Sequence, residues 1–239
     1  MLSLEVVWRL IKKWSDNMSN FEDDFEMFKV MKQQLYTAVC CDVMDSMGYK
    51  DQAMRYNIRP VHEDMVVVGR AKTMLAADIQ DVYENPYEKE IDALDSVEEG
   101  QVVVIDTNES TSSGIWGELL TTAAMMRGGR GAVVDGLSRD IWRTKKMDFP
   151  LFAVGYRPLD SQGRSYIFDY DCTIKCGGIK VKPNDIIFGD IDGVIVIPKE
   201  ISMDVVRGAC EKVSKENVTR DELLEGKLLK DVYEKYGVL

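Results

Sequence analysis

An α/β fold with helical ends is predicted by three observations. Short runs of β-branched residues recur from residue 65 onward, a run rich in Ala, Leu and Met lies between two of them, and both termini are patterned as helices. At 239 residues the chain suits one core with helical extensions. Its 45% apolar and 30% charged residues are ordinary globular composition.

Leu4, Val7, Trp8, Ile11 and Trp14 fall on one helical face, predicting an amphipathic extension over residues 4–14. Glu5 and Arg9 interrupt its apolar run, so it neither spans a bilayer nor forms a signal peptide. A second helix is expected over 21–35 and a third over 37–47, with Thr37 as cap and Gly48 as stop. Strands follow at 65–76, 101–106, 131–136 and 150–155. Between the second and third of these, GELLTTAAMMRGG at 117–129 predicts a helix ended by its glycines, and hence a parallel strand-helix-strand unit. Residues 179–198 alternate β-branched residues with Pro-Asn and Asp-Gly turns, an antiparallel hairpin or barrel element. Helices return after Pro198, first with Val205, Val206, Ala209, Cys210 and Val213 on one face, then around DELLEGKLL.

A formal net charge of −11 gives no general attraction for nucleic acid or anionic lipid, so neither is expected as a partner. An acidic protein that acts on an anion must concentrate positive charge at the site, through a metal or an arginine. The five cysteines make no disulfide framework, which favours a reducing cytoplasm. Cys172 and Cys176 cannot assemble a zinc site beside the single histidine, and Asp190 and Asp192 read as a turn, not a calcium loop. No glycine-rich nucleotide loop follows an early strand.

The most informative window is 117–140. In parallel α/β units the loops after strands and the starts of the following helices form the ligand crevice, so Glu118 and the pair Arg139-Asp140 can converge there. Amides at the start of the 117 helix can receive a carboxylate. Taken alone, Arg139-Asp140 reads more simply as a helix cap with a surface charge, Glu118 as a favourable first-turn charge and Glu216 as a solvated helix residue.

Glu118, twenty intervening residues and Arg139-Asp140, set in WGELL…AA…RG…G…V.DG..RD, resemble the signature of RraA-like class II pyruvate aldolases, the family of 4-hydroxy-4-methyl-2-oxoglutarate and 4-carboxy-4-hydroxy-2-oxoadipate aldolases. VVGRAKT at 67–73, CGGIKVKPNDIIFGDIDGVIVIP at 176–198 and the VYEKYGVL ending are similar to the same family, so the resemblance covers about residues 37–239, with 1–36 as an N-terminal helical extension. It implies an α/β/α sandwich around a small barrel-like mixed sheet, assembled as a homotrimer or hexamer with sites between subunits. It implies Mg2+ or Mn2+ on Asp140, with water ligands steadied by Glu118 and an enolate oxygen met by Arg139. The substrate carboxylate would be received in the Gly117 turn by the amides of Leu119 and Leu120, and Glu216 would complete a neighbouring subunit's site. The family more often has aspartate where this chain has Glu118, so the acid's reach differs by one methylene.

The implied activity is cleavage of a 4-hydroxy-2-oxo acid to pyruvate and a carbonyl product, with oxaloacetate decarboxylation as a side reaction through the same enolate. The alternative is a non-catalytic regulator, since relatives named RraA inhibit a ribonuclease by protein contact. The complete set of Glu118, Arg139, Asp140 and Glu216 favours the enzyme.

Overall fold

A computed structural model describes residues 21 and 23–238. The helix expected over 4–14 lies outside them. The described chain forms two units, one of residues 49–202 and one joining the chain before Tyr49 to the chain from Met203 onward.

The larger unit is built on a nine-stranded mixed sheet. Its strands are β1 (Arg59–Pro60), β2 (Val67–Asp78), β3 (Gln101–Asp106), β4 (Gly114–Trp116), β5 (Gly131–Ser138), β6 (Leu151–Tyr156), β7 (Ser165–Tyr170), β10 (Ile186–Asp190) and β11 (Gly193–Ile197). β8 (Ile174–Cys176) and β9 (Ile179–Val181) form a separate antiparallel pair. The main order is β1-β6-β5-β3-β2-β10-β11, with β4 on β5 and β7 on β2. β2, β3, β5 and β6 run parallel, as the strand-helix-strand reading of the sequence requires. The two ends of the order also meet. Arg59 of β1 donates to the carbonyls of Ile191 and Asp192 beside β11, and Ala53 bridges Ile195, so the sheet curls into a nearly closed barrel.

The barrel has two apolar faces because its parallel strands are buried on both sides. Val102, Val104, Val133, Phe152, Ile187 and Val196 fill one cluster. Val103, Ile105, Val134, Leu151, Trp116 and Phe149 fill the other, together with Ala93, Leu94 and Ala124 from the helices α3 (Glu88–Asp95) and α4 (Glu118–Met126). A side chain at Gly69, in the VVGRAKT stretch, would strike the Gly100 carbonyl where β2 enters its pairing with β3. Asp135, at the centre of β5, is buried and accepts from the Thr107 amide at 2.7 Å, the Thr107 hydroxyl at 2.9 Å and the Gly177 amide at 3.2 Å. Its carboxylate ties three segments together and serves structure.

The second unit is helical: α1 (Asp24–Gln34), α2 (Thr37–Ser46), α6 (Ser202–Leu224) and α7 (Leu229–Tyr236). Met27, Phe28, Met31, Val39, Cys40, Met44, Val205, Val206 and Ala209 are buried. Two expectations need correction. Thr37 is the first helical residue and buried, with Tyr36 at the cap position, because the chain turns inward one residue earlier than the capping rule suggests. DELL closes the long α6, and the second helix starts only at Leu229, since Gly226 adopts φ +87° and breaks the run. Gly48 takes φ +90°, as a helix stop should. No disulfide forms among the five cysteines.

Phe152→Ala should cost about 3–5 kcal/mol, because the side chain is wholly buried between strands that cannot close the gap. Urea denaturation should show it as a lowered midpoint. Tyr56→Ala, 82% exposed, should stay within about 0.5 kcal/mol of the parent.

Candidate active site

β4 is three residues long and pairs in parallel with the end of β5. Three bonds hold the junction. The Arg139 amide and the Ser138 hydroxyl both donate to the Trp116 carbonyl at 2.7 Å, and the buried Trp116 indole donates to Thr121 Oγ1 at 2.8 Å. Thr121 in turn donates to the Gly117 carbonyl, so the first turn of α4 is locked to the strand that precedes it. The chain after β4 and the chain after β5 are thereby set side by side.

Asp140 follows β5 in the left-handed region, φ 57° and ψ 27°, a conformation that aspartate tolerates better than most residues. It caps the short helix α5 (Ile141–Thr144) without a side-chain capping bond, which turns its carboxylate toward Gly117 and Glu118 instead. Oδ2 accepts from the Glu118 amide at 3.2 Å and lies 3.5 Å from Arg139 Nε. A Cβ on Gly117 would lie 2.6 Å from this oxygen, so the carboxylate needs the glycine. The α4 amides of Leu119 and Leu120 precede the first helical hydrogen bond, made by Thr121, and remain available to an anion.

Gly117, Leu119, Leu120, Arg139 and Asp140 line one cleft of about 300 Å³. Glu118 stands beside that cleft, its carboxylate 3.9 Å from Arg143. Glu216 belongs to the helical unit, where Tyr36 donates to it; burial and this bond raise the Tyr36 hydroxyl to about 12. Among the described residues no group of three His, Cys, Asp or Glu side chains stands close enough together to hold a metal ion by itself. A Mg2+ or Mn2+ ion that keeps most of its waters needs only one or two protein carboxylates, and half-exposed Asp140, with both its contacts on Oδ2, fits that demand through Oδ1.

The far wall of the cleft comes from residues that sequence reasoning passed over: Tyr87, Glu90, Ile91, Asp160 and Ser161. Asp160 accepts from Arg139 Nη1 at 2.8 Å and from the Tyr87 hydroxyl at 2.6 Å. Partial burial pushes its carboxyl up, but the Tyr87 bond, the Arg139 charge and the Ser161 and Gln162 amides outweigh that and hold it below the ordinary value. Tyr87 is raised to about 12 by burial and by the bond to Asp160. Glu90 is 7% exposed, and burial, with Asp160 nearby and Arg139 only partly opposing, lifts it to about 7. The crevice rule that marked Glu118 and Arg139 also applies to the loop after β6, which carries Asp160. Asn85-Pro86 before the acidic run at 88–90 is a helix-start signal for α3.

The family model for RraA-like proteins, Aldolase/RraA, matches residues 37–196. The chain belongs to the RraA-like family. Among relatives, a Halalkalibacterium halodurans protein named "Putative 4-hydroxy-4-methyl-2-oxoglutarate aldolase" is 34% identical over 155 residues, 65% of this chain and 70% of that one. Protein DlpA of Legionella pneumophila is 27% identical over 84% of this chain, which spans 32% of DlpA's length. The crystal structure of Streptomyces coelicolor RraAS2, described as an unusual member of the RNase ES inhibitor RraA protein family, superposes with a TM-score of 0.76 at 24% identity. It covers 83% of this chain and 98% of that one, and it shares the fold. No helix among the described residues is long and apolar enough to cross a membrane.

The raised pKa of Glu90 makes stability depend on pH. A carboxyl higher in the folded state than in the unfolded state stabilises at low pH, and that contribution is lost as pH rises from about 4.5 through about 7. Glu90→Gln should remove this part of the pH dependence, worth about 3 kcal/mol at most, and the unfolding midpoints of the two proteins should converge in acid and separate toward neutral pH.

Proposed function

We propose that the chain is a divalent-metal-dependent lyase that cleaves a 4-hydroxy-2-oxo acid to pyruvate and a carbonyl product. What supports the reading is the convergence of one half-exposed carboxylate, one arginine and one helix start on a single cleft, in a chain whose relatives include proteins named for this aldol cleavage. Mg2+ or Mn2+ at Asp140 would supply the positive charge that lowers the cost of forming an enolate.

The remaining work falls to the protein. The amides of Leu119 and Leu120, at the positive end of α4, receive the substrate carboxylate. Arg139 is held at Nη1 by Asp160 and directs the rest of its guanidinium toward the oxygen on which charge develops when the C3–C4 bond breaks. A fixed donor there costs no reorganisation during the reaction. Glu118, beside the cleft, is suited to hold the water that takes the C4 hydroxyl proton and later returns a proton to C3. Glu216 of a neighbouring subunit would complete the site in a homotrimer or hexamer. Exposed Leu119 and Trp142, 74% and 69% accessible beside the cleft, suit a surface covered by another copy.

The test is exchange of the pyruvate methyl protons for deuterium, followed by NMR with Mg2+ or Mn2+ and again with a chelator, alongside pyruvate release from oxaloacetate and 4-hydroxy-4-methyl-2-oxoglutarate. Metal-dependent exchange is expected, and Asp140→Ala should lower it by at least about a hundredfold while the thermal midpoint stays near that of the parent. Absence of exchange and release in the parent protein would reject the lyase and move the reading to a regulator that works by protein contact.

A further inference from the structure

Glu90 is the one acid of the cleft that the proposed chemistry leaves unused. It is more than nine-tenths buried, lines the cleft, and among the described residues its carboxyl makes no hydrogen bond. Two other polar side chains on that wall are committed, Tyr87 to Asp160, and Asp160 to Tyr87 and Arg139. Burying a carboxyl without a partner is costly, and folds retain such groups chiefly where a ligand completes them.

The charges of the cleft restrict what that ligand can be. Among its lining residues Arg139 is the sole cation, with Nη1 on Asp160 and Nε beside Asp140. Against it stand three acids, Glu90, Asp140 and Asp160. The 2-oxo acid head of the substrate takes up what positive charge Arg139 and a metal provide. No cation of the cleft lining is left for a second carboxylate, which would instead meet the Asp160 carboxylate, and like charges brought together in a partly desolvated site cost several kcal/mol. Ile91 and Ile115 add an apolar margin to the same wall.

Resting on the lyase reading, we infer that Glu90 is a specificity-determining residue. Its carboxyl hydrogen-bonds an uncharged oxygen on the distal half of the substrate, so the carbonyl product is a neutral hydroxylated aldehyde and not an oxo acid. The neutral acid that burial favours is the form able to donate that bond. The reaction balances without a co-reactant. The C4 hydroxyl loses its proton, the C3–C4 bond breaks with its electron pair passing to the pyruvate enolate, C4 becomes the aldehyde carbon, and C3 takes up one proton.

The experiment compares kcat/KM for pyruvate release from 4,5-dihydroxy-2-oxopentanoate and from 4-hydroxy-2-oxoglutarate, which differ only in whether C5 is a carbinol or a carboxylate. The parent protein should favour the dihydroxy acid by at least about tenfold. Glu90→Leu, which removes the donor at similar volume, should cut that preference by about tenfold, whereas Glu90→Gln, which keeps a neutral donor, should retain it. A preference for the dicarboxylate in the parent, or an unchanged ratio in a folded Glu90→Leu variant, overturns the assignment; the parent ratio decides alone if the variant does not fold. Deuterium exchange into pyruvate involves no distal half and separates the two failures. Its absence removes the lyase reading and this inference together, whereas exchange with a dicarboxylate preference removes only the role of Glu90.

Discussion

The parallel pairing of β4 with the end of β5 is the constraint on which the cleft depends. Three residues of strand would be marginal alone, but Trp116 is buried among Ile115, Phe149 and Ala124, and its carbonyl receives two donors, from the last residue of β5 and the residue after it. That pairing carries the chain into α4 at Gly117 and sets Arg139-Asp140 opposite it. The left-handed Asp140, the missing Cβ of Gly117 and the two open amides of α4 are consequences of the same junction. Because the indole is also bonded to Thr121, a disturbance in the core beneath the cleft is transmitted directly to the first turn of the helix.

The electrostatics of the cleft follow from how one arginine is shared. Arg139 lies between Asp160 and Asp140, about one third exposed, so it is partly screened by water and partly fixed by its bond to Asp160. Tyr87 donates to the other oxygen of the same carboxylate, so Asp160 accepts from the phenol and the guanidinium together. An arginine anchored in this way offers a defined edge, which a free side chain would not. Glu90, beside that carboxylate, is only partly compensated by Arg139, and its raised pKa is the thermodynamic sign of its burial.

The parallel strands were legible because each is a continuous apolar run. β3 at 101–106 matches the segment read from the sequence, and β5 and β6 match to within two residues. The segments that sequence reading missed are short or locally ambiguous. β1, β4 and β8 have two or three residues each, too few to show a period, and α3 is an acidic run whose buried residues, Glu90, Ala93 and Leu94, do not announce themselves. Asp135 and Asp140 look alike in the string V.DG..RD. One is buried in four-way hydrogen bonding and the other is half exposed beside Gly117, and only the fold separates the two roles.

By itself the sequence determined the class of fold, the positions of its main strands along the chain and residues on one side of the cleft, because periodicity and motif spacing are local and survive in a linear string. The tertiary structure alone decided the other side. Tyr87, Glu90 and Asp160 come from segments separated by 70 residues or more of chain between Glu90 and Asp160, and they meet Arg139 only because parallel strands return every following loop to the same end of the sheet. Their state of charge was decided there too, since burial and neighbouring charge belong to the folded protein and have no counterpart in composition.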